Sequence, residues 1–362
     1  MNKFDENNGI HLQTIVSELK KFAPLYLADE KWDNVGLLVE PDISYINTIL
    51  LTNDLTEPVI NEAIEKNVQL IISYHPLIFS GMKRLIRSNW KDRIILKCIE
   101  NRIAIYSPHT SWDGVENGVN QWLTTAFGKV HDDFDVTPIE TLKMEQTPGK
   151  NQHILTIVLP GTGESIQRQL NDVSGAYIQS ETECLHNNLP SKQLMVACSK
   201  EAVISICNIF KDNIDIFKTI QIVDVQKPLD ANTGYGRLVE LKQTCTISEI
   251  VEKVKNLTSL KYVRLALASG KSITSSVRTI AVCAGSGSTV LSNVRADIYF
   301  TGEMSHHAVL DAIHRGTTVI LCEHTNTERG FLKQFRKYFM EIWEGKMNII
   351  LSEKDKDPLE IV

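Results

Sequence analysis

Apolar residues at positions 12, 15, 16, 19 and 22 recur with helical spacing and predict a helix over Leu12 to Phe22. A β-rich run, Ile46 to Thr52, then stops at Asn53-Asp54, and Thr56 with Pro58 marks a helix start for Val59 to Asn67. Val68 to Tyr74 is almost continuously apolar, the pattern of a parallel strand buried on both faces. This β-α-β unit is repeated more loosely by a helix around Asn89 to Asn101 and a strand over Arg102 to Ser107. Near the C-terminus the alternation returns, with strands at Thr279 to Ala284, Asp297 to Thr301 and Thr317 to Cys322 and a helix at Ser305 to Arg315. A helix from about Asn326 to Glu344 and a strand at Asn348 to Ser352 follow. Alternation of this kind predicts an α/β fold with mainly parallel or mixed sheets.

The middle of the chain has another texture. Residues 130–150, rich in His, Asp, Thr, Pro, Gly and Lys, read as a boundary. Beyond it the order is strand (153–159), helix (165–173), strand (176–181), strand (192–198), helix (200–211) and strand (219–224), which predicts a small ferredoxin-like α+β insertion. The expected organisation is a first α/β half over 1–138, the inserted domain over 139–228 and a second α/β half over 229–362, the two halves forming one core.

Composition narrows the function classes. The chain has 362 residues, 43% hydrophobic and 23% charged, enough for a sizeable core and unlike a disordered or collagen-like chain. A net charge of -6 gives no general attraction to nucleic acid. The 7 cysteines are odd in number, mostly in apolar runs, and none forms a C-x-x-C pair, which argues against a disulfide framework and for a reducing compartment. The N-terminus does not read as a secretory signal, and no apolar stretch approaches the roughly 18 residues of a spanning helix, so the expected location is cytoplasmic, with the nucleus open.

In open α/β sheets functional groups collect at the carboxyl ends of strands. Three strand ends here carry metal-type donors: His75 before Pro76, His109 to Asp113, and His324 to Glu328. His324 and Glu328 are four apart and share a face if a helix has begun there. Imidazoles and carboxylates suit a divalent transition metal, with Zn, Mn, Fe, Co and Ni indistinguishable by ligand type. Blander readings stand beside this one: Glu328 as the acid of a capping box opened by Thr325, His75 as a loop histidine, Asp113 before Gly114 as a turn residue. The coincidence of the donors at strand ends favours the metal.

Taken together, Trp32 to Leu37, Tyr74 to Phe79, Ser107 to Asp113 with Gly118-Val119-Asn120, Cys283 to Ser288, Tyr299 to His307 and His324 to Phe331 resemble the Ngg1-interacting-factor-three-like family. Some of its bacterial members are labelled GTP cyclohydrolase I type 2 homologues. The likeness covers both outer segments, and Tyr74 to Arg84 and His324 to Leu332 are similar to the metazoan branch. The resemblance implies a dinuclear metal site with His75, Asp113, His324 and Glu328 as ligands, one or two divalent ions as cofactor, and self-association as a dimer or hexamer. It also implies a regulatory role, since eukaryotic relatives are described as binding transcriptional regulators. Many bacterial members have two successive histidines before the proline; Tyr74 stands at the first position here, and a phenol with a pKa near 10 is the poorer ligand.

A catalytic metal needs proton-transfer or orienting groups, for which His109, Glu303 and His307 are candidates, while His306 and His314 read as a solvated helix face. Gly285, Ser286 and Gly287 can cradle a phosphate, although the turn lacks the third glycine of a dinucleotide fingerprint and a P-loop lysine, and a tight turn is the simpler account. Lys83 and Arg84 open the densest positive cluster in the chain and are candidates for a phosphorylated ligand, against a solvated face as the alternative. The sequence therefore points to a metal-dependent hydrolase of a nucleotide-like or phosphorylated small molecule, or to a regulatory protein or metal chaperone built on the same residues.

Overall fold

In the computed structural model, which describes residues 9–29, 31–143, 152–161, 163–225 and 229–360, the apolar runs become strands covered on both faces. Helix α1 (Leu12–Phe22) leads to strands β1 (Gly36–Val39) and β2 (Thr48–Thr52), helix α2 (Glu57–Glu65), β3 (Leu70–Ser73), α3 (Trp90–Glu100) and β4 (Ala104–Ser107). The short helices α4 (Thr110–Gly114) and α5 (Val119–Thr124) and strand β5 (Phe134–Lys143) follow. After an intervening segment come β6 (His153–Pro160), α6 (Glu164–Asn171), β7 (Ala176–His186), β8 (Leu189–Cys198), α7 (Lys200–Phe210) and β9 (Gln221–Asp224). The chain ends with β10 (Leu229–Thr246), α8 (Ile247–Thr258), β11 (Arg264–Ala266), β12 (Ser276–Ser286), β13 (Ile298–Glu303), α9 (His306–His314), β14 (Thr318–Leu321), α10 (Phe331–Ile342) and β15 (Asn348–Leu351).

Two compact units result, Met1–Leu142 with Asp230–Val362, and Lys143–Leu229. The first holds a five-stranded sheet in the order β15-β2-β3-β4-β1 and a six-stranded sheet in the order β11-β14-β13-β12-β10-β5. The four strands β15, β2, β3 and β4 run parallel, with β1 antiparallel at the edge. In the other sheet β12, β13 and β14 are parallel, while β11 runs antiparallel to β14 and β10 antiparallel to β12. The fold is thus mixed α/β. In the second unit the strands lie in the order β9-β6-β8-β7, every pairing antiparallel, over a core of Leu155, Ile157, Val196, Ile206 and Phe210.

Strand alternation explains how one core serves both sheets of the first unit. Ile49, Leu51, Leu70 and Ile72 share a central core with Ile280, Val282, Ile298, Phe300 and Ile320 from the other sheet, together with apolar faces of α1, α8 and α10. The intervening residues Leu50, Ile71 and Ile105 pack outward against α2 and α3, and Ala281, Tyr299 and Val319 do the same in the layer that includes Ala312 of α9. Shared packing of this kind fixes the two sheets relative to each other, and with them the loops at their strand ends. Among the described residues no helix is long and apolar enough to cross a membrane.

Two departures from the sequence pattern have physical causes. Strand β5 runs through 138–143, where the pattern reads a boundary. It is the outermost strand of its sheet, a position that tolerates Pro138 and polar residues. The helix expected from Asn326 is instead a 3-10 turn, Thr325–Thr327, and α10 begins only at Phe331. A Cβ at Gly330 would lie 2.3 Å from the Trp122 ring, so the chain passes this indole too closely for any larger residue.

Phe335, 1% exposed, meets Trp112 with ring centroids 4.3 Å apart and Phe22 at 5.3 Å. Phe335→Ala is expected to lower unfolding stability by about 3–5 kcal/mol, read from denaturant midpoints.

Candidate metal centre

His75 follows β3, Asn53 and Asp54 follow β2, and His109 and Asp113 follow β4, all at the carboxyl edge of the five-stranded sheet. From the other sheet, Gly285 lies near the end of β12, Glu303 ends β13, and His324 and Glu328 follow β14. One carboxylate joins the two sets. Glu328, 3% exposed, places Oε1 3.2 Å from His324 Nε2 and Oε2 3.5 Å from His75 Nε2. His75, His324 and Glu328 each offer a ligand atom, all within 4.8 Å of one another, so these three can hold a metal ion. The 3-10 turn brings His324 and Glu328 together, and the Glu328 side chain engages His75, His324 and the Asn53 amide rather than capping a helix.

Three imidazoles here share one arrangement, with Nδ1 against a carboxylate. His75 Nδ1 lies 2.9 Å from Asp54 Oδ1, His324 Nδ1 2.9 Å from Glu303 Oε1, and His109 Nδ1 2.6 Å from Asp33 Oδ1. Outer carboxylates of this kind fix ring orientation and raise basicity, as around bound metals. His109 nonetheless stands outside the three-donor group. It occupies φ 33°, ψ -119°, a costly conformation for a β-carbon residue, and Asp33 also accepts from Thr110 N–H at 3.2 Å and from the Thr110 hydroxyl.

Without a cation the cluster balances its charge with protons. Burial works against the Glu328 carboxylate, but His75 and His324 hold its pKa well below the usual carboxylate range. Burial likewise opposes a charged His75, yet Glu328 and Asp54 raise it to about 10. His324, bonded to Glu328 and Glu303, is raised to about 9. Asp113 is pushed up to about 6 by burial, against the Tyr74 hydrogen bond. Tyr74, raised well above 10 by burial and then by Asp113, keeps its proton and donates it to Asp113 Oδ1 at 2.7 Å.

Glycine makes the convergence possible. Gly285 has φ +61°, and a Cβ there would lie 2.6 Å from Glu328 Oε1 and 2.9 Å from His324 Nε2. Its N–H donates to Thr327 Oγ1 at 2.8 Å, and the helix after the turn spans only Ser288–Leu291. Gly285 and Ser286 line a cleft of about 420 Å³ together with Trp32, Tyr74, His109, Asp113, His324 and Glu328. Gly287 is buried and does not line it, and a Cβ there would meet the Thr301 hydroxyl. Asp113 is therefore on the same cleft as His324 and Glu328 but outside the three-donor group. Lys83, Arg84 and His307 are exposed and do not line it, and His307 makes an edge contact with His306.

Comparison with known proteins follows the same residues. The family model described as Duf34/NIF3 (NGG1p interacting factor 3) matches residues 10–358. The chain belongs to the Duf34/NIF3 family. NIF3-like protein 1 of Homo sapiens is 40% identical over 97% of this chain and 92% of its own length. NGG1-interacting factor 3 of Saccharomyces cerevisiae is 30% identical over 97% of this chain and 96% of its own. Among solved structures, a Bacillus cereus protein related to NIF3 superposes with a TM-score of 0.66 at 23% identity, covering 98% of this chain and 100% of that one. Reduced HcgD from Methanocaldococcus jannaschii superposes with a TM-score of 0.60 at 19% identity, covering 95% of this chain and 98% of that one. These two likenesses show a shared fold.

In this NIF3 chain, sequence reasoning passed over Asp33, Asn53 and Asp54. Asn53-Asp54 closes a strand just as His75 does, which is the available signal; Asp33 sits in a loop, and its one signal is its place in the Trp32 to Leu37 motif. Asn53 is fully buried and its Nδ2 donates to Glu328 Oε2 at 3.1 Å. Gly285→Ala is expected to displace the His324 and Glu328 side chains and weaken divalent-metal binding at least tenfold, measured by calorimetric titration.

Proposed function

We propose that this chain is a divalent-metal protein acting as a metal-dependent hydrolase on a nucleotide-like or phosphorylated small molecule. One observation carries the reading: two imidazoles and a buried carboxylate from opposite ends of the chain meet within 4.8 Å beside an open cleft. The donor set fits Zn, Mn, Fe, Co or Ni, as one ion or two, with Asp113 as an adjoining ligand. A divalent ion supplies Lewis acidity and lowers the pKa of water.

The other roles fall to the chain's own side chains. His109, with Nδ1 committed to Asp33, retains Nε2 for exchanging a proton with a ligand, and Glu303 orients His324. His307 is an outlying candidate for proton transfer. Trp32, 49% exposed at the cleft, offers a stacking surface for a planar base. Among the described residues lining the cleft there is no lysine or arginine, so the charge of a phosphate there falls to the metal, and Lys83 and Arg84 serve only a ligand that extends outward. The β-α-β-β-α-β order and β9-β6-β8-β7 sheet of the second unit support a ferredoxin-like insertion over about 139–228, between halves at 1–138 and 229–362. Self-association as a dimer or hexamer, in the cytoplasm or nucleus, completes the proposal.

A second reading has its own support, because the yeast relative is named for interacting with NGG1. In that case the chain binds a transcriptional regulator, and the metal is structural or sensed. Metal analysis of purified protein and a metabolite screen separate the two. The hydrolase reading expects bound divalent ion and turnover, both lost in His75→Ala and Glu328→Ala. Variants that keep partner capture from cells, with no substrate across the screen, favour the interaction protein.

The raised imidazoles predict a pH dependence. With His75 near 10 and His324 near 9 in the metal-free chain, both are protonated at pH 7, and a cation must displace those protons. Metal affinity should rise with pH from 6 to about 10, most steeply below about 9 where both imidazoles carry protons, with proton release on binding, measured by titration in buffers of different ionisation enthalpy.

A further inference from the structure

Beyond the donor group, the segment after β15 returns to the site. Asp355, whose side chain is 3% exposed, accepts from Asn53 N–H at 2.8 Å and from Arg329 Nε at 3.1 Å through Oδ2, while Oδ1 takes Arg329 Nη2 at 3.2 Å. These are not arbitrary neighbours. Arg329 directly follows Glu328. Asn53 touches both other parts of the centre: its carbonyl accepts from His75 N–H at 3.0 Å, and its Nδ2 donates to Glu328 Oε2. One carboxylate therefore fixes Asn53, the residue whose carbonyl holds His75 N–H, and Arg329, the residue beside Glu328, across the junction of the two sheets.

The segment is itself held in place. Ser352 N–H extends the ladder to Leu51 O at 2.9 Å, and its hydroxyl donates to Glu62 Oε2 at 2.5 Å. Glu353 N–H donates to Glu62 Oε1 at 3.0 Å, and Asp355 N–H to Ser352 Oγ at 3.1 Å. Two residues after Asp355, Asp357 accepts from the Thr325 hydroxyl, next to His324. The segment thus reaches a neighbour of each C-terminal donor.

We propose that Asp355 is a positioning residue for the metal centre, clamping Asn53 and Arg329 so that His75 and Glu328 stand at the separation a cation requires. The proposal rests on the metal reading above and concerns residues outside the donor set. Outer partners of metal ligands contribute about 10–100-fold in affinity.

Cobalt(II) titrated into the purified full chain, followed by its d–d absorption, tests this. Asp355→Ala should weaken cobalt affinity by about 10–100-fold and change the band shape, which a purely structural residue would not do at an unchanged thermal midpoint. Asp355→Asn, which keeps an acceptor for Asn53 N–H but not the charge facing Arg329, should recover part of the loss. Glu353→Ala, at an exposed position, should match wild type. Wild-type affinity and spectrum in Asp355→Ala, with binding still lost in Glu328→Ala, overturns the clamp and leaves the metal reading intact. A loss that tracks a falling thermal midpoint overturns it too, and a wild-type chain that takes up no cobalt overturns both.

Discussion

A carboxylate withdrawn from water between two imidazoles governs this structure. Glu328 is buried where a lone anion would be unstable, and its charge is tolerable because His75 and His324 face its two oxygens and the Asn53 amide donates to one of them. The two histidines belong to different sheets, so the electrostatic requirement is also a structural one: the strand ends must meet. The raised imidazoles of His75 and His324 answer the charge of Glu328, and the same three groups can hold a metal ion.

Meeting that requirement demands irregular backbone where the chain is otherwise regular. Glu323, just before His324, has φ 63°, His109 has φ 33°, and Gly285 takes φ +61° to leave room for the donors. Such conformations persist only when the surroundings over-determine them. The surroundings here are the shared core of two sheets, paired on one side with α2 and α3 and on the other with the α9 layer.

Tyr74 shows how one side chain can redirect a site. Its ring is buried in the central core and its hydroxyl is engaged with Asp113. A protonated phenol that donates to a carboxylate acts as a hydrogen-bond donor rather than as a metal ligand. Asp113, pushed up to about 6 by burial against that hydrogen bond, stands on the cleft wall next to the three-donor group.

Much of this was legible before folding. The run Val68 to Tyr74 reads as a doubly covered strand because both faces of β3 are apolar, and the donors His75, His324 and Glu328 stand out because they follow such strands. Strand β5 was not legible, since an outer strand carries proline and polar residues like any loop. Nor was the pairing of the donors with their supports, because Asp33 lies 76 residues from His109 and Asp355 lies 302 from Asn53. Local pattern determines which residues end a strand and what chemistry they bring. Tertiary structure alone decides which ends adjoin, which carboxylate faces which imidazole, and that Asp113 falls to Tyr74, because those distances are set by sheet pairing and core packing between segments far apart along the chain.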